Sequence, residues 1–278
     1  MNTGDILRIA LELGGFDEVP ADSGVWVEGE NLRRVLVGLD VGPAELKIAR
    51  DLGFDAVIAH HPVRRAGFWR VFARHRDMMR EAGVPDEVIG AAIDERIAAM
   101  RMAEPNHNDD HVVSVARLLG MPFLNLHLPL DEYTRRVMIR AVADCQAANP
   151  AATVGEVAGA IGQLPSFRRS GAEPLVVYGA AEAPAGKVVV SIAAGTNGGF
   201  PVASAYLTHG VDTVVYMHVA SEDLERLRQE RVPGNLIVTG HMPGDSVGVD
   251  ALVHELRRRG VEVVTFSGVD TPLEEGRT

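Results

Sequence analysis

The residues of this chain whose types and spacing could do chemistry are mostly histidines at the ends of short apolar runs. Ala56-Val57-Ile58-Ala59 leads directly into His60-His61-Pro62. Pro122 to His127 is a second such run, and Asp131 follows four residues later. Leu236 to Val238 leads into Gly240-His241-Met242-Pro243-Gly244-Asp245, again a histidine with a carboxylate four residues on. His218 stands just past a further run, Val214 to Met217. Short apolar runs bounded by turn-forming residues suit buried strands of a parallel sheet. In open α/β sheets, ligands sit beyond the carboxyl ends of the strands. One strand-terminal histidine is ordinarily structural; three converging on one side of a sheet are hard to explain by packing alone. Imidazole with carboxylate suits zinc, iron or manganese. Two carboxylates can also bridge a pair of ions, an arrangement that stabilises hydrolytic and group-transfer transition states.

A structural explanation competes with each remaining motif. Arg64, Arg65, Arg70, Arg74, Arg76 and Arg80 fall among aromatic and Met residues, with i,i+4 pairs expected to line one helix face. They form either a solvated surface or an anion-collecting rim beside His60 and His61. His107 and His111 share a helical spacing but lack the Glu of a His-Glu-x-x-His zinc motif, so capping or support is the expectation. Gly195-Thr196-Asn197-Gly198-Gly199 follows a strand and precedes a helix. It could cradle a phosphate with backbone N–H groups, or be a tight turn needing positive φ. Ser191 and Ser246 lack the Gly-x-Ser-x-Gly elbow of a serine hydrolase.

These motifs need elements to hold them. An amphipathic helix carrying Ile6, Ile9, Ala10 and Leu13 precedes a polar loop, Asp17 to Glu30. Arg33 to Asp40 reads as a strand ending in an acid. Pro43 to Leu52 reads as a helix stopped by Gly53. With the strand at Ala56 this makes a βαβ unit, whose crossover is right-handed. Helices are expected at Pro85–Met102, from the Asn106–His111 turn to Leu119, at Tyr133–Ala147 and at Val154–Ile161, with Arg168 to Gly171 as a loop. A second α/β series follows, ending with a helix from Val247 to Arg259 and a strand from Val261 to Phe266. The expected class is therefore α/β, with two lobes meeting at a soft boundary near Asn149 to Thr153. Residues 1–150 would form an N-terminal lobe with an Arg-rich helical insertion, and residues 151–278 a C-terminal lobe.

Composition sets the outer bounds. Of 278 residues, 46% are apolar and 23% charged, an ordinary globular balance. The net charge of −11 disfavours general binding to nucleic acid or anionic membranes, which calls for a basic surface. A single cysteine, Cys145, excludes an internal disulfide and a Cys-based zinc site and suits a reducing compartment. A soluble cytoplasmic protein is the expectation.

Taken together, His60-His61-Pro62, His127 with Asp131, the glycine turn at Gly195 and Gly240-His241 with Asp245 resemble the signature of the NIF-three-like dinuclear metal-binding family, whose members carry the label GTP cyclohydrolase 1 type 2 homologue. The resemblance runs from about Val35 to Val264 with every block in order. It implies two intertwined α/β lobes with a pair of divalent ions in the cleft between them, and commonly a ring-shaped homohexamer. By position it implies His60, His61, Asp131, His241 and Asp245 as metal ligands. It also puts His127 at the same site and His218 near it. Two features depart from the family pattern: Asp245 stands where Glu is usual, and the segment between His61 and His127 is longer.

Two functions follow as expectations. The first is a metal-dependent hydrolase of a nucleotide or other phosphorylated or anionic small molecule. Metal-activated water would attack, His127 or His218 would move protons, and Arg64, Arg65, Gly195, Thr196 and Asn197 would hold the substrate. The alternative is a non-catalytic metal-binding or regulatory protein whose metal pair is structural.

Overall fold

Strands that are apolar at every position need cover on both faces, and the helices that follow them supply it. A computed structural model of the chain describes residues 1–193 and 198–269. In chain order the first elements are α1 (Thr3–Gly14), β1 (Gly24–Val27), β2 (Arg34–Gly38), α2 (Pro43–Asp51) and β3 (Ala56–Ala59). Next come α3 (Phe68–Phe72), α4 (His75–Glu81), α5 (Asp86–Ala103), α6 (His111–Leu119), β4 (Phe123–Asn125) and α7 (Leu128–Ala148). They are followed by α8 (Val154–Gly162), α9 (Pro165–Ser170), β5 (Leu175–Tyr178), β6 (Val188–Val190) and α10 (Gly199–Thr208). The last are β7 (Thr213–Tyr216), α11 (Ser221–Gln229), β8 (Asn235–Val238), α12 (His241–Arg258) and β9 (Glu262–Phe266). The α/β class is as expected. No helix among the described residues is long and apolar enough to cross a membrane.

Two compact units share the chain, and neither is one continuous stretch. The first comprises Met1–Gly67, Glu104–Tyr133 and Asp245–Thr278; the second comprises Phe68–Ala103 and Thr134–Gly244. The boundary expected near Asn149 to Thr153 falls inside the second unit, and the Arg-rich segment beyond Gly67 belongs to the second unit as well.

The first unit is built on a five-stranded sheet of order β1-β4-β3-β2-β9, with β1 antiparallel and the rest parallel. Alternation along the strands divides its core in two. Val35, Val37, Ala56, Ile58 and Leu124 meet Ile6 and Ile9 of α1 and Val249, Leu252, Val253 and Leu256 of α12. Leu36, Val57, Ala59 and Phe123 meet Leu46 and Ala49 of α2 and Ala116 of α6. The second unit has a four-stranded sheet of order β5-β8-β7-β6, again with one antiparallel edge, β5. Its core joins Val214, Tyr216 and Leu236 to residues of α5 and α10 such as Ile89, Ile93, Phe200 and Tyr206.

Several boundaries differ from expectation. The polar loop after α1 contains β1, an edge strand of four residues. Arg168 to Ser170 are helical. The Arg-rich segment is two short helices, α3 and α4, so its arginines do not line one face. Arg80 pairs with Asp86 at 2.6 Å and Arg76 with Asp94, while Arg70 and Arg101 lie over the Trp69 ring.

Candidate metal centre

The centre of the first unit forms where β2, β3 and β4 end side by side. The parallel ladder continues past β3: His60 N–H donates to Gly38 O and His61 N–H to Leu39 O, each at 2.9 Å. Leu126 N–H donates to Ala59 O on the other side, also at 2.9 Å. Both histidines are thus held by backbone pairing although they lie beyond the strand. Their ring centroids are 5.2 Å apart, and those of His60 and His127 are 5.0 Å apart.

Each imidazole is fixed from outside the centre through Nδ1. His60 Nδ1 lies 3.0 Å from Leu126 O, His61 Nδ1 lies 2.7 Å from Asp40 Oδ1, and His127 Nδ1 lies 2.8 Å from Asp22 Oδ2. A carbonyl or carboxylate oxygen only accepts, so each Nδ1 carries the proton. That leaves all three Nε2 atoms turned toward one another, the orientation imposed on metal-ligating histidines. The ligand nitrogens of His60, His61 and His127 lie within 4.8 Å of one another.

Two helices bring the carboxylates. Asp131 is in the first turn of α7 and Asp245 in the second turn of α12. Both side chains are fully buried, and so is that of His60. His60 Nε2 is 3.2 Å from Asp131 Oδ1 and 3.7 Å from Asp245 Oδ1, while His61 Nε2 is 3.1 Å from Asp245 Oδ2. Among the described residues, neither His60 Nε2 nor either oxygen of Asp131 has an aligned hydrogen-bond partner. Buried polar atoms are normally satisfied, so atoms gathered this way without hydrogen bonds suit a shared cation. His60, Asp131 and Asp245 form a second group whose ligand atoms lie within 4.8 Å. Buried His/Asp groups of this kind could hold a metal ion.

The electrostatics agree. Burial drives His60 toward the neutral form, but the charges of Asp245 and Asp131 outweigh it and raise its pKa to about 10. Burial also opposes a proton on His61, and so does His60, yet hydrogen bonding to Asp245 and Asp40 raises its pKa. The pocket favours positive charge where the imidazoles and carboxylates meet.

His218 and His241 belong to the second unit, where their rings are 5.0 Å apart. His241 opens α12, one turn before Asp245. Arg64 lies over the Trp26 ring. Asp109 accepts from the backbone N–H groups of Arg65 and Ala66, so the turn before α6 ties down the chain that follows His61. His107 Nε2 is 3.5 Å from Arg65 Nη1, and His111, the first residue of α6, is exposed. Gly195, Thr196 and Asn197 lie outside the described residues. Ser191 Oγ is 3.3 Å from His75 Nδ1, but both residues are fully buried, so no substrate reaches them. Ser246 Oγ donates to Gly268 O.

The model of the Duf34/NIF3 family (NGG1p interacting factor 3) matches residues 11–272. The chain belongs to this family. A NIF3 superfamily protein from Sphaerobacter thermophilus is 46% identical with a TM-score of 0.93, over 96% of this chain and 98% of that one. Reduced HcgD from Methanocaldococcus jannaschii is 12% identical with a TM-score of 0.61, over 98% of both chains. TTHA1606 from Thermus thermophilus is 18% identical with a TM-score of 0.52, over 99% of this chain and 100% of that one. The last two show the fold alone. No curated protein matches the chain. In this Duf34/NIF3 chain, sequence reasoning gave no role to the two outer carboxylates, Asp22 and Asp40. Asp40 carried a signal, since an acid ending β2 lies next to the end of β3 in a parallel sheet. Asp22, in a polar loop, carried none.

Proposed function

We propose that this protein is a dinuclear metal-dependent hydrolase acting on a nucleotide or another phosphorylated or anionic small molecule. The observation that carries the proposal is the convergence of three Nε2 atoms and two buried carboxylates, with every Nδ1 already engaged on the outside. Nitrogen and oxygen donors without thiolate suit zinc, iron or manganese. In this reading His60, His61, Asp131 and Asp245 hold the ions, and His241 joins them by its place one helical turn before Asp245. Divalent ions at such a site supply Lewis acidity and lower the pKa of the attacking water. Leu126 O and Asp40 keep His60 and His61 aimed inward. His127 exchanges a proton at Nε2, with His218 as the second candidate for that role. Arg64, Arg65 and the Gly195–Asn197 turn are assigned to the anionic part of the substrate.

Complete burial of His60, Asp131 and Asp245 favours a second reading, in which the metal pair is purely structural. An open coordination position separates the two, since structural sites are closed. Elemental analysis of untagged protein purified without added metal comes first. The proposal expects about two transition-metal ions per chain, lost in Asp131→Ala, and then turnover of a panel of nucleotides and phosphorylated metabolites. Protein that takes up no metal after chelation and reloading excludes both readings. Full occupancy with no turnover leaves the structural one.

A further inference from the structure

The three imidazoles of the centre are not backed alike. His60 is held by a neutral carbonyl, Leu126 O. His61 is held by Asp40, whose side chain is 72% exposed and screened by water. His127 is held by Asp22, whose side chain is fully buried. Asp22 Oδ2 accepts from His127 Nδ1 at 2.8 Å and from Leu128 N–H at 3.2 Å, and Asp22 Oδ1 accepts from the Ser23 hydroxyl at 3.3 Å. The surroundings hold this carboxylate in place. Asp22 O accepts from Asn125 Nδ2 at 2.6 Å, and Asn125 Oδ1 accepts from Trp26 Nε1 at 2.8 Å. Ser23 Oγ accepts from the backbone N–H of His127 at 2.9 Å. Among the described residues, the hydrogen-bond partners of Asp22 include no Lys or Arg. A buried carboxylate is costly without a compensating charge, and here its one ring partner is an imidazole that turns its other nitrogen toward the metal-ligand cluster.

We infer that Asp22 is the positioning residue for His127. It fixes the Nδ1–H tautomer and the plane of the ring, and its buried charge strengthens Nε2 as a donor to a cation. The inference rests on the metal reading of the centre and revises one role within it: His127 Nε2 goes to the ions, which leaves proton transfer to His218. Outer carboxylates that orient a ligating histidine typically account for roughly 10–100-fold in metal affinity, and a buried one is the least screened.

The test is a Co²⁺ titration of the full chain against a chromophoric chelator, reading both affinity and the cobalt absorption band. The proteins are the wild type, Asp22→Asn, His127→Ala and the double variant. We expect Asp22→Asn to bind Co²⁺ about 10–100-fold more weakly, with a shifted band. The double variant should bind no more weakly than His127→Ala alone, the non-additivity of groups that act as one unit. Wild-type affinity and an unshifted band in Asp22→Asn overturn the inference and leave the metal reading standing. An equal loss in the His127→Ala background also overturns it, because Asp22 would then act on the fold and not through the ring. A wild type that binds no cobalt removes the metal reading and the inference together. If Asp22→Asn does not fold, Asp22→Glu keeps the charge and displaces it by one methylene. A shifted band in that variant supports the inference and an unshifted one overturns it.

Discussion

Asp131 shows at the scale of one residue why the centre is built for a cation. Its two oxygens are buried and make no hydrogen bond among the described residues, and His60 Nε2 is 3.2 Å from Oδ1 without hydrogen-bond alignment. A buried carboxylate in that condition has lost its hydration without replacement. Swapping a whole buried ion pair for neutral groups is often harmless, but removing one partner leaves the other charge uncompensated. Asp131 is one of the two carboxylates that raise the pKa of His60, so without metal it faces a protonated imidazole. Asp131→Asn should therefore destabilise in both states. In excess chelator the loss should be up to about 3–5 kcal/mol; with metal present it should be larger by the stabilisation that binding provides. Parallel thermal melts with and without chelator check this. A loss that is the same with and without metal would mean that Asp131 is only an ion-pair partner of His60.

At the scale of elements, the two carboxylates meet because α7 and α12 touch backbone to backbone. A Cβ added at Gly248 would lie 2.2 Å from Leu130 O, and main-chain atoms cannot move aside as a flexible side chain does. Gly248→Ala should cost about 1–3 kcal/mol by overpacking. It should also weaken metal binding, since α12 must move away from the turn that carries Asp131. Gly159→Ala in α8 is the control, because nothing lies within 4 Å of its added Cβ; there alanine should be neutral or stabilising by up to about 1 kcal/mol. Denaturant melts and metal titration of both variants decide, and a Gly248→Ala protein that matches the wild type in both removes the close-contact account. The same two helices mark where sequence was least legible. The strand Ala56–Ala59 is where its apolar run placed it, and α2 begins at Pro43 as expected. Yet α7 was expected from Tyr133 and starts at Leu128, and α12 was expected from Val247 and starts at His241. Pro129 and Pro243 stand just inside the observed starts. Each lies in the first turn of its helix, where a missing N–H costs nothing. Asp131 and His241 were therefore read as loop residues at strand ends when they are helical, although their chemistry was legible from residue type and spacing. β1 was missed because a four-residue edge strand in a polar stretch has too little alternation to register.

For the molecule as a whole, the telling fact is where the clustered residues come from in the chain. The first unit is assembled from three separate segments, and each contributes: His60 and His61 from the first, His127 and Asp131 from the second, Asp245 from the third. The sheet joins the same segments through β3 with β4 and β2 with β9. A cation bound by these side chains would cross-link all three at the sheet's end. Binding that exists only in the folded state stabilises by mass action, about 2.7 kcal/mol at a free metal concentration 100 times Kd. That stabilisation belongs to whichever cooperative unit holds the ligands, because local openings need not involve the whole chain. Hydrogen exchange with and without Zn²⁺ should therefore slow in β2, β3, β4 and β9, while β6, β7 and β8 of the second unit change much less. Equal protection of both sheets would show that the two units open together, and protection confined to the second sheet would place the bound ion away from His60 and Asp131.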